Sequence, residues 1–164
     1  MPHLGRESER EAVLAKLEAM PAFLENALLA LSPGEATVPG PGGSFSPVEQ
    51  CWHLADLERE GYGERVRRLL TEVDPFLPDF DGDRVATERH YRTRPLDRGL
   101  QAFREARSAN LSLLRSLQAR DWERRGRQEG VGAITLGQIP EMMAAHDTAH
   151  QAEIQAWLRE RSSP

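Results

Sequence analysis

Apolar residues recur at helical spacing in four long segments of the chain, at residues 7–31, 46 to about 71, 95–117 and 135 to about 161. None of the segments between them shows the alternation of apolar and polar residues that is typical of a half-buried strand. We therefore predict an all-α protein whose four helices form a bundle. A length of 164 residues suits one such domain over residues 1–164.

Helix boundaries are marked by capping signals. The sequence SPVE at residues 46–49 combines a Ser N-cap, a Pro at the first helical position and a Glu that can complete a capping box. TLGQ at residues 135–138 repeats the capping-box pattern. Pro140 follows too deep inside that helix to be neutral, which predicts a kink or a later start. Pro21 predicts a kink or a restart in the first helix in the same way.

The connection between the second and third helices is long. Residues 74–94 contain two prolines, several Asp residues and an Arg-rich end. This composition predicts a crossover connection with one short helical turn, crossing a face of the bundle. Residues 121–133 are charged and contain glycine, so we predict a loop or a frayed helix end there.

Charge and composition exclude several functions. The net charge of −5 and the pI near 5.6 provide no broad positive field, so we expect no nucleic-acid partner. No run of 18 apolar residues occurs, and the first ten residues carry no apolar leader, so we expect no membrane partner and a cytoplasmic location. The single cysteine, Cys51, excludes an internal disulfide and is predicted to be a small core residue. Any metal site must therefore use His and carboxylate ligands.

His146 and His150 are the most informative residues for chemistry. Four residues along a helix separate the two side chains by about 40° and about 6 Å, so both rings project from one side. The same side carries Ile139, Met143 and Ile154, which places the pair within the buried stripe. Burying two imidazoles is unfavourable unless their nitrogens are satisfied, and a metal ion would satisfy them. The alternative is a hydrogen-bonded pair without a metal.

A metal site of catalytic type needs a third ligand, and His53 is the candidate. On a helical wheel, however, His53 lies on a mixed face, so its position alone favours a partly exposed residue. His3 and His90 are interpreted as surface residues. Three carboxylates are either exposed or orient a ligating ring: Asp56, Asp147 and Glu153. The arginines at 65–68 and 84–98 are interpreted as solvated, with the alternative that one anchors an anionic substrate or thiol.

Two stretches resemble those of the DinB-like (DinB/YfiT) four-helix-bundle family. They are FSPVEQCWHLAD at residues 45–56 and the run from TLGQ at 135–138 through HDTAHQAEI at 146–154, with DWER at 121–124 in agreement. The motifs are short, and their order over nearly the whole chain, with 93 positions from His53 to His146, gives the resemblance its specificity. The resemblance implies that His53, His146 and His150 bind a divalent metal ion, usually nickel or zinc.

The resemblance also implies a function. It indicates a metal-dependent enzyme that acts on a small-molecule substrate, with a low-molecular-weight thiol as co-reactant in a thiol S-transferase reaction. The alternatives are a metal-dependent hydrolase and a non-enzymatic, stress-related metal-binding bundle. It further implies a homodimer. No catalytic acid, base or cofactor-binding residue is assigned from the sequence.

Overall fold

The structure is a computed structural model that describes residues 2–162, with side chains described from residue 6 onward. His3, predicted to lie at the surface, is outside the described side chains. The α-helices are α1 (Pro2–Leu28), α2 (Pro33–Ala36), α3 (Pro47–Asp56), α4 (Glu64–Thr71), α5 (Gly82–Glu88), α6 (Leu96–Ser116) and α7 (Ile139–Ser162). Short 3-10 turns lie at Pro41–Gly43, Tyr91–Thr93, Ala119–Glu123 and Leu136–Gln138.

A π-helical stretch, Leu57–Gly63, joins α3 directly to α4, so residues 47–71 form one long helix. This long helix packs with α1, α6 and α7, and the predicted four-helix bundle is confirmed. Residues 72–95 connect the second bundle helix to the third and include α5, as the predicted crossover requires. Among the described residues, no helix has the length and apolar character needed to span a membrane.

The capping signals have the predicted effects. Ser46 and Glu49 form a complete capping box at the start of α3. Thr135 and Gln138 form another, which precedes a 3-10 turn. α7 then begins at Ile139, so Pro140 falls in its first turn, where it is tolerated, and the later start is confirmed. α1 continues through Pro21 without a restart.

The structure also contains a small three-stranded sheet, which the sequence reasoning missed. β1 (Phe76–Leu77) pairs in parallel with β2 (Arg125–Gln128), and β2 pairs antiparallel with β3 (Gly132–Thr135). The prediction of a loop or a frayed helix end at residues 121–133 is therefore wrong for β2 and the start of β3. These strands are two to four residues long, too short for an alternating pattern to stand out. The buried position of β2 is Gly126, which has no apolar side chain to mark it.

The crossover is fixed to the bundle by an apolar cluster of its own. Val85 and Ala86 of α5 and Tyr91 pack against Val48 and Trp52 of α3. Cys51 of the same helix belongs to a different apolar cluster, inside the bundle, and is fully buried, as predicted for a core residue. Burial raises the pKa of its thiol, which keeps it protonated.

One arginine lies at the centre of the bundle. Arg107 of α6 donates hydrogen bonds to Glu58 of the π-helical stretch, Asp147 of α7 and the carbonyl oxygen of Leu17 in α1. The guanidinium group thus contacts all three other bundle helices, and its side chain is 2% exposed. Asp147 was expected to be exposed or to orient a ligating ring, and both alternatives are wrong because it pairs with Arg107.

Candidate metal centre

Three histidines converge between α3 and α7. His53 lies in the last turns of α3, and His146 and His150 lie one helical turn apart on α7. The ring centroid of His53 is 5.0 Å from that of His150 and 5.8 Å from that of His146. Each histidine offers one ring nitrogen within 4.8 Å of the other two. The structure therefore brings together the three residues singled out from the sequence.

His53 is buried, contrary to its position on the helical wheel. It is 7% exposed, as is His150, whereas His146 is partly buried. The rings of Phe45 and Phe80 lie 5.2 and 6.2 Å from the His53 ring and help to cover it. Both phenylalanines come from segments outside the bundle helices. The expectation of a partly exposed residue is therefore wrong, because a wheel for α3 cannot include these segments.

Burial favours the neutral form of all three rings. Burial, together with the neighbouring His150 and His146, lowers the pKa of His53 to about 3. Burial and His150 lower the pKa of His146 to about 4, and burial lowers that of His150 to about 4. Neutral imidazole is the form that coordinates a cation, so the rings are ready to act as ligands at neutral pH.

Gln50 orients His150. Its side-chain oxygen Oε1 lies 2.6 Å from Nδ1 of His150 and accepts a hydrogen bond, so Nδ1 carries the proton and Nε2 keeps a free lone pair. The Gln50 amide also donates to Glu153 Oε2, which lies 3.4 Å from His150 Nδ1. Gln50 was missed in the sequence analysis. Its position three residues before His53, on the same side of the helix, is the signal that could have found it.

The three residues fit a divalent cation. Nε2 of His146 and Nε2 of His150 are 3.1 Å apart, close to the roughly 3.3 Å expected for two nitrogens on one tetrahedral cation at about 2.0 Å. Nδ1 of His53 is buried and has no hydrogen-bond partner among the described residues, which is unfavourable without a ligand. A buried nitrogen without a partner and a set of three neutral imidazoles are the features expected of residues that bind a metal ion.

Asp56 accepts hydrogen bonds from the crossover and does not orient a histidine. It is buried and accepts hydrogen bonds from the Tyr91 hydroxyl, Arg89 and Arg59. Burial alone would raise the pKa of Asp56, but these hydrogen bonds together lower it. Both alternatives stated for Asp56, exposed or orienting a ring, are wrong. Its role is to attach the crossover to α3 beside His53.

An open cleft of about 740 Å³ lies against His53 and His150. Its lining includes six carboxylate residues: Glu49, Asp79, Asp81, Asp83, Glu129 and Glu153. No lysine or arginine is among its described lining residues, so the suggestion that an arginine anchors an anionic substrate gains no support. His90 is exposed, as predicted.

Comparisons with known proteins identify the family and the fold of this chain. Residues 16–154 match the model of the DinB superfamily, and the chain belongs to that superfamily. The fold is similar to a solved structure described as "YfiT from Bacillus subtilis is a probable metal-dependent hydrolase with an unusual four-helix bundle topology". That match has a TM-score of 0.87 and 22% sequence identity, and covers 96% of this chain and 90% of the other. Comparison with curated proteins finds no significantly similar sequence.

Proposed function

We propose that this protein is a metal-dependent hydrolase of a small molecule, with His53, His146 and His150 holding one divalent cation, nickel or zinc. The observation that carries the proposal is the convergence of three neutral imidazoles, two of which, His53 and His150, line an open cleft. A structural metal site is closed by its protein ligands, whereas a three-ligand site beside a cleft leaves a position for a reactant. This favours an enzyme over a non-enzymatic metal-binding bundle.

Several residues around the three histidines have distinct roles in this proposal. A bound divalent cation would supply Lewis acidity and lower the pKa of a nucleophile. Gln50 holds His150 in the tautomer whose Nε2 is free to bind. Phe45 and Phe80 lie beside the His53 ring and help to cover it. The cleft carboxylates offer acceptors for the proton that a water nucleophile must lose.

The lining of the cleft supports hydrolysis over thiol transfer, the reverse of the order that the resemblance implied. A thiol co-reactant must be held by more than its sulfur, and the described lining of the cleft offers no cationic side chain to an anionic carrier. Water needs no such pocket. Thiol S-transfer is the second candidate, limited by the same lining to neutral or cationic thiols. The relative named as a probable metal-dependent hydrolase lends this order further support.

Metal analysis of the purified protein tests the ligand set. We expect about one nickel or zinc ion per chain in the wild type, and its loss in His150→Ala. His90→Asn is the matched control, because His90 is exposed and Asn tolerates its positive φ of 52°. Equal metal content in the wild type and His150→Ala would contradict the assignment.

Hydrolysis is tested with a panel of small esters, amides and lactones. The metal-loaded wild type should cleave at least one of them, and the activity should disappear after chelation and return with nickel or zinc. His90→Asn should retain the activity. A hydrolysis rate that is the same with and without the chelator would contradict a metal-dependent reaction.

A further inference from the structure

The carboxylates of the cleft come from four separate parts of the chain. Glu49 belongs to α3, Asp79, Asp81 and Asp83 to the start of the crossover, Glu129 to the turn after β2, and Glu153 to α7. The whole chain contains 21 basic and 26 acidic residues, so a cleft with six acids and no described base departs sharply from the average. The negative charge of the cleft therefore arises because the fold brings together acidic residues from four segments. It does not come from a single acidic run in the sequence.

Most of this charge is not neutralised nearby. Among the described residues, Asp83 and Glu129 have no basic partner within ion-pair distance. Asp79 and Asp81 have only long pairs, 4.0 Å to Arg65 and 3.9 Å to Arg84. Both of these carboxylates are largely exposed, where such pairs contribute little. The cleft thus keeps a negative potential.

Of the six cleft carboxylates, Glu49 and Glu153 accept short hydrogen bonds from neighbouring side chains. Glu49 accepts from Arg92 at 3.0 Å and completes the capping box of α3. Glu153 accepts from the uncharged amide of Gln50, so its negative charge is not cancelled. At least five of the six carboxylates therefore contribute to the potential of the cleft.

A second feature of this wall points to a ligand. His53, more than nine-tenths buried, lines the same cleft, and its Nδ1 has no hydrogen-bond partner in the described part of the chain. The carboxylates themselves do not form an ion site, because among the described residues only the three histidines bring ligand atoms within 4.8 Å of one another. Carboxylates spread around a large cleft suit an extended organic molecule better than a bare cation.

We propose that the cleft selects substrates with a cationic group, a primary ammonium or a guanidinium, bound among Asp79, Asp83 and Glu129 while the reacting bond lies at the three histidines. This inference rests on the proposed function, since it places the reacting end of the substrate at the metal. It deepens that function by defining the charge of the substrate. Opposite charge across a cleft steers and retains a ligand, and like charge excludes it.

Three small thiols test the proposal, because they share a metal-binding sulfur and differ in charge. Cysteamine carries an ammonium group, mercaptoethanol is neutral, and mercaptopropionate carries a carboxylate. The wild-type protein is loaded with cobalt(II), and each thiol is titrated while the sulfur-to-cobalt absorption is recorded. We expect affinity to fall in the order cysteamine, mercaptoethanol, mercaptopropionate, with smaller differences at high salt.

The measured quantity is the ratio of cysteamine to mercaptopropionate affinity in matched variants. Intrinsic differences between the thiols, including their own pKa values, cancel when this ratio is compared between proteins. The double variant Asp83→Asn, Glu129→Gln should lower the ratio about tenfold at low ionic strength. The control double variant Glu105→Gln, Glu141→Gln removes two exposed carboxylates outside the cleft lining and should leave the ratio unchanged.

The outcomes separate this inference from the function on which it rests. Thiols that bind cobalt with the same ratio in all three proteins would overturn the inference and leave the metal site intact. The same holds if the control variant lowers the ratio as much as the cleft variant, because net charge would then explain the effect. Failure of the wild type to bind cobalt would overturn the proposed function and the inference together, whereas a cobalt-loaded wild type that binds none of the three thiols would overturn the inference alone.

Discussion

Replacing Arg107 with methionine should be the most destabilising single change in the bundle that leaves the apolar core intact. All five N–H groups of its guanidinium are hydrogen-bonded, four to Glu58 and Asp147 and one to the Leu17 carbonyl. Methionine can fill much of the same volume but donates nothing. Two buried carboxylates then remain side by side without a counter-charge.

The expected loss of stability follows from the burial of Arg107 and its two carboxylate partners. The side chains of Arg107 and Glu58 are each 2% exposed and that of Asp147 is 7% exposed, so solvent screens the ions very little. Removing one partner of such a buried arrangement lowers the free energy of unfolding by about 3–5 kcal/mol. Burial already raises the pKa of Asp147, and in the variant we expect Asp147 to take up a proton. The loss should therefore be smaller at about pH 5 than at about pH 7.

Urea denaturation followed by far-UV circular dichroism measures this difference. Arg104→Met is the matched control, because Arg104 lies one turn earlier on α6 and makes an ion pair with Glu25 in which the two side chains are 50% and 32% exposed to solvent. An exposed pair contributes at most about 1 kcal/mol, so the control should be nearly as stable as the wild type. Adding Glu58→Gln and Asp147→Asn to Arg107→Met should recover part of the lost stability by removing the unpaired charges.

The reasoning would be refuted by an Arg107→Met protein that unfolds at the same urea concentration as Arg104→Met. It would also be refuted if the triple variant were less stable than Arg107→Met alone. In that case the contribution of Arg107 would be packing, and the buried charges would not explain the stability of the bundle.

Three further changes test the surroundings of the histidines. Gln50→Ala removes the acceptor for His150 Nδ1, and metal affinity, measured by competition with a chelator, should fall about 10- to 100-fold. Gly82→Ala places a methyl group 2.6 to 2.8 Å from the His53 ring, which must then move, so metal affinity should fall while helix content stays the same. Asp56→Asn should lower the free energy of unfolding by about 2–3 kcal/mol at neutral pH, because a buried charged acceptor is lost. Since the pKa of Asp56 is lowered in the folded protein, this difference should shrink as pH falls below 3.8.

Each of these changes has a control or a contrary result. Gly34→Ala is the control for Gly82→Ala, because a methyl group added at Gly34 has no described atom within 4 Å, and the metal affinity of this variant should match that of the wild type. Gln50→Glu keeps an acceptor at the same place and should retain more affinity than Gln50→Ala, so the reverse order would count against the orienting role. For Asp56→Asn, a stability difference that stays constant from neutral pH to below 3.8 would exclude the carboxylate charge as its cause.

Features that depend on contacts between residues close together in the chain were predicted correctly from the sequence. The Ser46 capping box, the later start of α7 beyond Pro140 and the core position of Cys51 all follow from neighbours within a few residues. The pairing of His146 and His150 follows from the pitch of one helix, which fixes the distance between residues four apart. Short strands were missed because two to four residues, with glycine at the buried position, carry no periodic signal.

The sequence by itself determined the four helices, their capped ends and the histidine pair, because each depends on interactions within one segment. Only the tertiary structure decided that His53 is buried, that Gln50 reaches His150 and that Arg107 pairs with Asp147. The physical reason is that each of these contacts joins segments far apart in the chain. Burial and charge pairing are properties of the packed assembly of helices, and no single helix encodes them.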